Sequence, residues 1–185
     1  MRTINPWINF NGNAEEAFNL YQSVFKTGWA APIMRMGDMP QQDGMPQLSD
    51  AETKVIRQYL LDGGLLFCDC GSGTWDQSFR QWSRRLFPDK QLIDISNDDP
   101  IFHAWFHFPN GAPPLWKHGG DRALGIKDNG RWAVFYFPGN LNDAWKTGHN
   151  DVNPTVVRQS YELGVNVVKY SIDHYWAMNR ENGKR

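Results

Sequence analysis

"LLFCDCGSGTW", residues 65–75, is the stretch on which the fold turns. A continuous apolar run without polar alternation marks a strand buried on both faces by flanking helices. The run closes on Asp69 and Cys70. Gly71, Ser72 and Gly73 then make a turn, after which Trp75, Phe79, Trp82 and Leu86 follow helical spacing up to Pro88. Upstream, Ser49 and Glu52 have the spacing of a capping box. Val55, Ile56, Tyr59 and Leu60 supply that helix with an apolar face, and Gly63–Gly64 stops it. Helix, strand, helix in this order predicts an α/β layered fold. Ligands of such sheets bind beyond the carboxyl ends of the strands, so Asp69 and Cys70 fall on the edge where a site is expected.

Working outward, "QLIDI" (91–95) and "PIFHAWFHF" (100–108) are expected strands. Residues 122–137 form a β-hairpin turning on "DNG". Val157, Tyr161, Val165, Val168, Ile172 and Trp176 repeat at steps of four and three behind Pro154, which predicts a final helix despite Gly164. At the front, Ile4, Trp7, Ile8 and Phe10 suggest a strand. Asn13 caps a helix bearing Ala14, Ala17, Phe18, Tyr21 and Phe25, and "WAAPIMRM" suggests an edge strand. Residues 37–48, rich in Gly, Pro, Gln and Asp, are the expected boundary. They divide a front segment, 1–48, from a main domain, 49–185.

The totals bound the function. A formal charge of -1 on 185 residues gives no electrostatic case for nucleic acid. No apolar run is long enough to cross a bilayer, and the first residues lack a signal peptide's apolar core, which points to the cytoplasm. Two cysteines make no disulfide framework and fit a reducing compartment. Nine tryptophans imply heavy aromatic packing or rings at a contact surface.

Cys68 and Cys70 share one strand face, with Asp69 on the other. Their Cα atoms are about 6.5–7 Å apart, the outer limit for a disulfide. Cys68 is expected in the core. Cys70, near a helix N-terminus, is a candidate thiolate nucleophile, with His174 or His103 as base. Asp69 either binds a ligand or caps the "GSGTW" turn. Gly71, Ser72 and Gly73 have the composition of an anion-cradling turn, without a full nucleotide-binding fingerprint. Asn140 and Asp143 in "NLNDAW" either cap a helix or line a pocket. His103 has a competing place in the core, and His174 as a helix-end cation. No metal set and no cofactor motif is present. The expected partner is a small molecule or a protein, including another copy of the chain, and neither nucleic acid nor membrane.

Two resemblances follow. "INPWINFNGNAEEAFNLYQSVF" and "IMRMGDMP…GMPQLSDAE" resemble the start of a PhnB-like glyoxalase, or vicinal-oxygen-chelate, domain. That family's metal ligands have no counterpart here, since no histidine precedes His103. "IRQYLLDGGLLFCDC", "FRQWSRRLFPDKQLIDI", "DDPIFHAWFHF", "GIKDNGRWAVFYFPGNLNDAW" and "YELGVNVVKYSIDH" resemble, in order, a bacterial domain-of-unknown-function family, number four-one-five-nine. The resemblance implies a flavodoxin-like, glutamine-amidotransferase-like sandwich with a mostly parallel sheet and no assigned reaction. His103, Asp143, Trp145 and His174 fall on matching positions. Cys70 replaces an acidic residue, and Phe137, Pro138 and Gly139 replace a polar turn. A non-catalytic binding or assembly module is therefore expected first. A hydrolase or amidotransferase using Asp69 or Cys70 with His103 or His174 comes second, and a metal-dependent glyoxalase-like enzyme last.

Overall fold

The computed structural model describes residues 48–145 and 153–181, together with Glu16, Asn19, Leu20 and Ser23. The chain divides into two compact units, Met1–Gln41 and Gln42–Arg185. In the first, the four described positions are helical, as the spacing from Ala14 to Phe25 requires, and Ser23 Oγ donates to Leu20 O. The strands expected at 4–10 and 29–36 lie outside the described residues.

The second unit is mixed α/β. Its elements are α1 (Asp50–Leu61), β1 (Leu66–Asp69), α2 (Gly73–Leu86), β2 (Ile93–Asp94), a 3-10 turn (Pro100–Phe102), β3 (Leu124–Asp128), β4 (Arg131–Phe137), α3 (Leu141–Trp145) and α4 (Pro154–Glu181). The sheet order is β1-β4-β3-β2. β1 runs parallel to β4, whereas β4 with β3 and β3 with β2 are antiparallel. Among the described residues β1 therefore pairs on one side and forms a border of the sheet, and one pairing of the three is parallel where a mostly parallel sheet was expected.

Alternation along β1 and β4 sorts the core into two halves. Leu66, Cys68, Cys70, Val134 and Tyr136 join Leu60 of α1 and Phe79, Trp82 and Leu86 of α2. Leu65, Phe67, Phe135 and Phe137 join Leu163, Val167 and Tyr170 of α4. Helices thus cover both faces. The run 65–68 is apolar throughout because each of its sides meets a helix.

The start of α1 is the expected capping box. Ser49 Oγ accepts from Glu52 N at 3.3 Å, and Ser49 N donates to the Glu52 carboxylate at 2.8 Å. At its other end the buried Arg131 guanidinium donates to Leu60 O and, at 2.7 Å, to Gly64 O, placing a cation where the helix dipole is negative. The Trp82 indole donates to Thr53 Oγ1 at 3.0 Å, tying α2 to α1. The hairpin turns at Asn129 and Gly130, both at positive φ (48° and 78°), the type I′ pattern.

Two expectations fail on competing interactions. "PIFHAWFHF" is not a strand: Asp99 caps the 3-10 turn that Pro100 begins. The Asn166 side chain, fully buried on α4, then accepts from Trp105 N and Phe106 N and donates to Phe106 O. These groups satisfy locally the backbone that a ladder would have used. The final helix is present but runs on to Glu181, so His174 is not at its end.

Candidate functional site

The carboxyl ends of β1 and β4 carry a polar rim. Asp69 is the last residue of β1, and its side chain falls on the α4 side of the sheet. There its Oδ2 accepts from Asn142 N at 2.7 Å, the first turn of α3. Asn140 and Asp143 complete the cap: Asp143 N donates to Asn140 Oδ1 at 3.2 Å, and Asn140 Nδ2 donates to Asp143 Oδ2 at 2.8 Å. Asn140 adopts positive φ (60°), which asparagine tolerates better than most residues. The structure therefore brings Asp69, Asn140 and Asp143 together. The "GSGTW" turn is capped instead by Ser72, whose hydroxyl accepts from Trp75 N at 3.2 Å.

Cys70 faces the other way. Its thiol is buried and donates to Ser72 O at 2.8 Å. Tyr136, within hydrogen-bond reach of Cys70, donates to Asp76 Oδ1 at 2.8 Å. Asp76 in turn receives Arg80 Nε at 2.9 Å, and Arg80 Nη2 donates to Gly119 O at 3.0 Å. Gly119 is essential to this packing, because a Cβ there would stand 2.1 Å from Asp76 Cγ. The loop at 118–120 thereby reaches the rim, with His118 O facing Gly73 and Gly120 facing Pro138.

Burial governs the thiols. It pushes Cys68 up to about 12, with the charge of Asp69 adding to the rise. It also raises Cys70, against the opposing influence of hydrogen bonds with the Tyr136 side chain and the Ser72 backbone. Tyr136 is raised as well, by burial first and then by its contacts with Cys70 and Asp76. The expected lowering of Cys70 by a helix N-terminus is thus outweighed, since removal from water disfavours the thiolate more than the dipole favours it. Both cysteines are free.

The histidines lie elsewhere. His174 packs edge-on to Tyr170, with ring centroids 4.0 Å apart, and the Tyr170 hydroxyl accepts from Trp132 N near the start of β4. Asp69 sits in register with Phe137 at the end of β4, five residues or roughly 16 Å further along the strand. His174 is therefore not brought to Asp69 or Cys70. His103 is engaged at both ring nitrogens, Nε2 with Asn97 O at 3.0 Å and Nδ1 with His107 Nδ1 at 2.8 Å. The carbonyl fixes Nε2 as a donor, so a neutral His103 accepts from His107 through Nδ1. No group of three or more His, Cys, Asp or Glu among the described residues is placed to hold a metal ion.

Sequence reasoning missed Tyr136, Asp76, Arg80 and His118. Tyr136 and Asp76 were hidden because a residue inside a strand or helix pattern reads as packing. The double glycine at 119–120, next to a histidine, was the available signal.

These features define a mixed α/β domain with helices on both sheet faces and a polar rim at the carboxyl ends of its parallel pair. Residues 39–172 match the family model described as a domain of unknown function (DUF4159), and the chain belongs to that family. The match includes every rim residue named above. Among curated proteins none matches the chain.

Proposed function

We propose that the chain is a non-catalytic binding or assembly module on a flavodoxin-like frame, working in a reducing bacterial cytoplasm. The outer side of α4 carries this proposal. Tyr161, Val165, Val168, Ile172 and Trp176 are each about half exposed, between 47% and 56%, and follow one another along the helix. Contiguous apolar surface of that kind marks an interaction site in a soluble fold. The parallel β1–β4 pair and the helix-covered faces support the flavodoxin-like frame, and two unpaired thiols support the compartment. For residues 1–48 a PhnB-like strand–helix start is proposed as a fold, without metal chemistry.

A hydrolase or amidotransferase is supported less. Cys70 holds its proton and faces the core, Asp69 caps α3, and His174 belongs to the opposite end of β4. The carrying observation is tested with the double variant Val165→Asp, Ile172→Asp. If the seam is a docking face, the dilute variant keeps its melting midpoint within about 2 °C, because charges replace residues already in water. A drop beyond about 10 °C places the seam inside the chain's own core and removes the proposal.

A further inference from the structure

We infer that the outer seam of α4 is one half of a symmetric interface, the other half being α4 of a second copy of this chain, packed antiparallel about a twofold axis near Val168. This rests on the assembly role proposed above and names its partner.

The seam is spaced four, three, four and four residues apart, close to the a/d spacing by which one helix packs on another. Its order is aromatic, three β-branched residues, aromatic, which reads alike in both directions from Val168. An antiparallel pair sets Val168 against its own copy, Val165 against Ile172, and Tyr161 against Trp176. Self-complementarity of this kind is what a twofold interface requires, since one patch must serve both sides. The opposite side of the helix is already buried through Leu163, Val167 and Tyr170. The helix thus carries apolar residues on two opposite sides, and one of those sides lacks a cover among the described residues.

Charge and area agree with a second copy as occupant. The seam holds no charged side chain. Beside it, Arg158 pairs with Glu162 at 3.6 Å and Lys169 with Asp173, so the flanks bring no net charge to meet themselves. A fully exposed aromatic side chain offers roughly 150–250 Å² and an aliphatic one somewhat less. At the observed exposures, the seam and Tyr59 supply on the order of 600 Å² per copy, or about 1,200 Å² for two, where specific interfaces begin.

The ends are shaped for each other. Beside Trp176 lies a groove of about 480 Å³ lined by Tyr59, Gly63, Gly64, Ile172 and Tyr175. Its glycine floor lets the Tyr59 ring lie against the backbone: a Cβ on Gly64 would come within 2.3 Å of it. The antiparallel register delivers Tyr161 of the second copy to this groove. Tyr161 is already held, its hydroxyl donating to Trp145 O at 2.6 Å and its ring stacked on Trp145. A residue fixed beforehand loses little freedom on binding.

Sedimentation velocity of the full chain from ~0.1 to ~100 μM is the test, spanning the affinities open to an interface of this size. The expected species has twice the 21.3 kDa chain mass. Val168→Asp weakens association at least tenfold and, at dilutions where both proteins are monomeric, leaves the melting midpoint unchanged. Val168→Cys cross-links to a covalent dimer under mild oxidation, while Thr155→Cys, far from the axis, does not. A wild-type chain that stays monomeric throughout, with Val168→Asp still stable, overturns the self-pairing and leaves a different partner for the seam. Destabilisation of the monomeric protein by Val168→Asp shows the seam covered within its own chain and overturns the assembly role as well. A dimer insensitive to Val168→Asp, or one in which the Val168→Cys variant fails to cross-link, places the interface elsewhere.

Discussion

The two seams of α4 are built from the same kinds of residue and meet opposite conditions. Leu163, Val167 and Tyr170 are at most 5% exposed against the sheet, whereas Val165, Val168 and Ile172 are about half exposed one helix face away. Residue type alone does not distinguish them. Partnership does: the inner seam meets Phe67, Phe135 and Phe137, and its Tyr170 hydroxyl takes the Trp132 N–H. Burial energy is gained where apolar area leaves water, so the inner seam contributes the larger share to the stability of the isolated unit. The outer seam holds its contribution for whatever covers it.

The widest gap between the seams is expected from truncation. Leu163→Ala leaves a cavity in a fully buried site and costs about 2–5 kcal/mol. Val165→Ala removes surface already wet and changes stability by less than about 0.5 kcal/mol in dilute protein. Urea denaturation of the two variants at low concentration reads both values. Equal costs would erase the distinction and put the outer seam in the core.

How much of this was visible beforehand depends on whether a signal is local. The capping box at Ser49, the Ser72 turn, the "DNG" hairpin and the period of the last helix rest on neighbours in sequence, and each is found. What a residue faces across the fold is not a local property. Both helix-covered sides of β1 were legible in its unbroken apolar run, but its place at a border was not, because strand order is set by pairing at long range. The polar run of Asn140 to Asp143 left capping and pocket-lining equally open; the cap is formed, and it includes Asp69, seventy-three residues from Asn142, a contact no local pattern carries. Cys70 sat near a helix N-terminus as expected. Its depth under Tyr136 and Phe79 was invisible, and depth outweighed the dipole. The segment 100–108 misled because alternating apolar residues look alike in a strand and in a loop pinned by a buried asparagine.

That asparagine gives the next, smaller test of what the inner side of α4 does. Asn166 is a buried polar residue of α4, and Asn166→Ala leaves the amides of Trp105 and Phe106 without their acceptor. A buried unpaired polar group costs about 1–3 kcal/mol, less than the Leu163 cavity at its upper range. Hydrogen exchange at those two amides accelerates in the variant before any change elsewhere. Uniform acceleration across the sheet would instead mean that the loop and the core unfold as one unit.

The smallest effect separates the sides of α4 by protons. His174 follows Tyr170 along the inner side of α4, and burial lowers its pKa below the ordinary 6.5, with Arg131 pushing the same way against Asp173 and Asp99. The folded chain therefore refuses a proton that the unfolded chain accepts once pH falls below about 6.5. Stability declines from there down to the lowered folded value and levels off beneath it. The depressed acids at the start of α1, Asp50 and Glu52, cannot mimic this. Their contribution is complete above their unfolded values of 3.8 and 4.5 and fades only as pH drops through the lower folded ones. Between pH 7 and 5.5 the slope of unfolding free energy thus isolates the histidine, and His174→Gln flattens it. A slope equal in the two proteins would show the imidazole as freely hydrated in the folded chain as in the unfolded one.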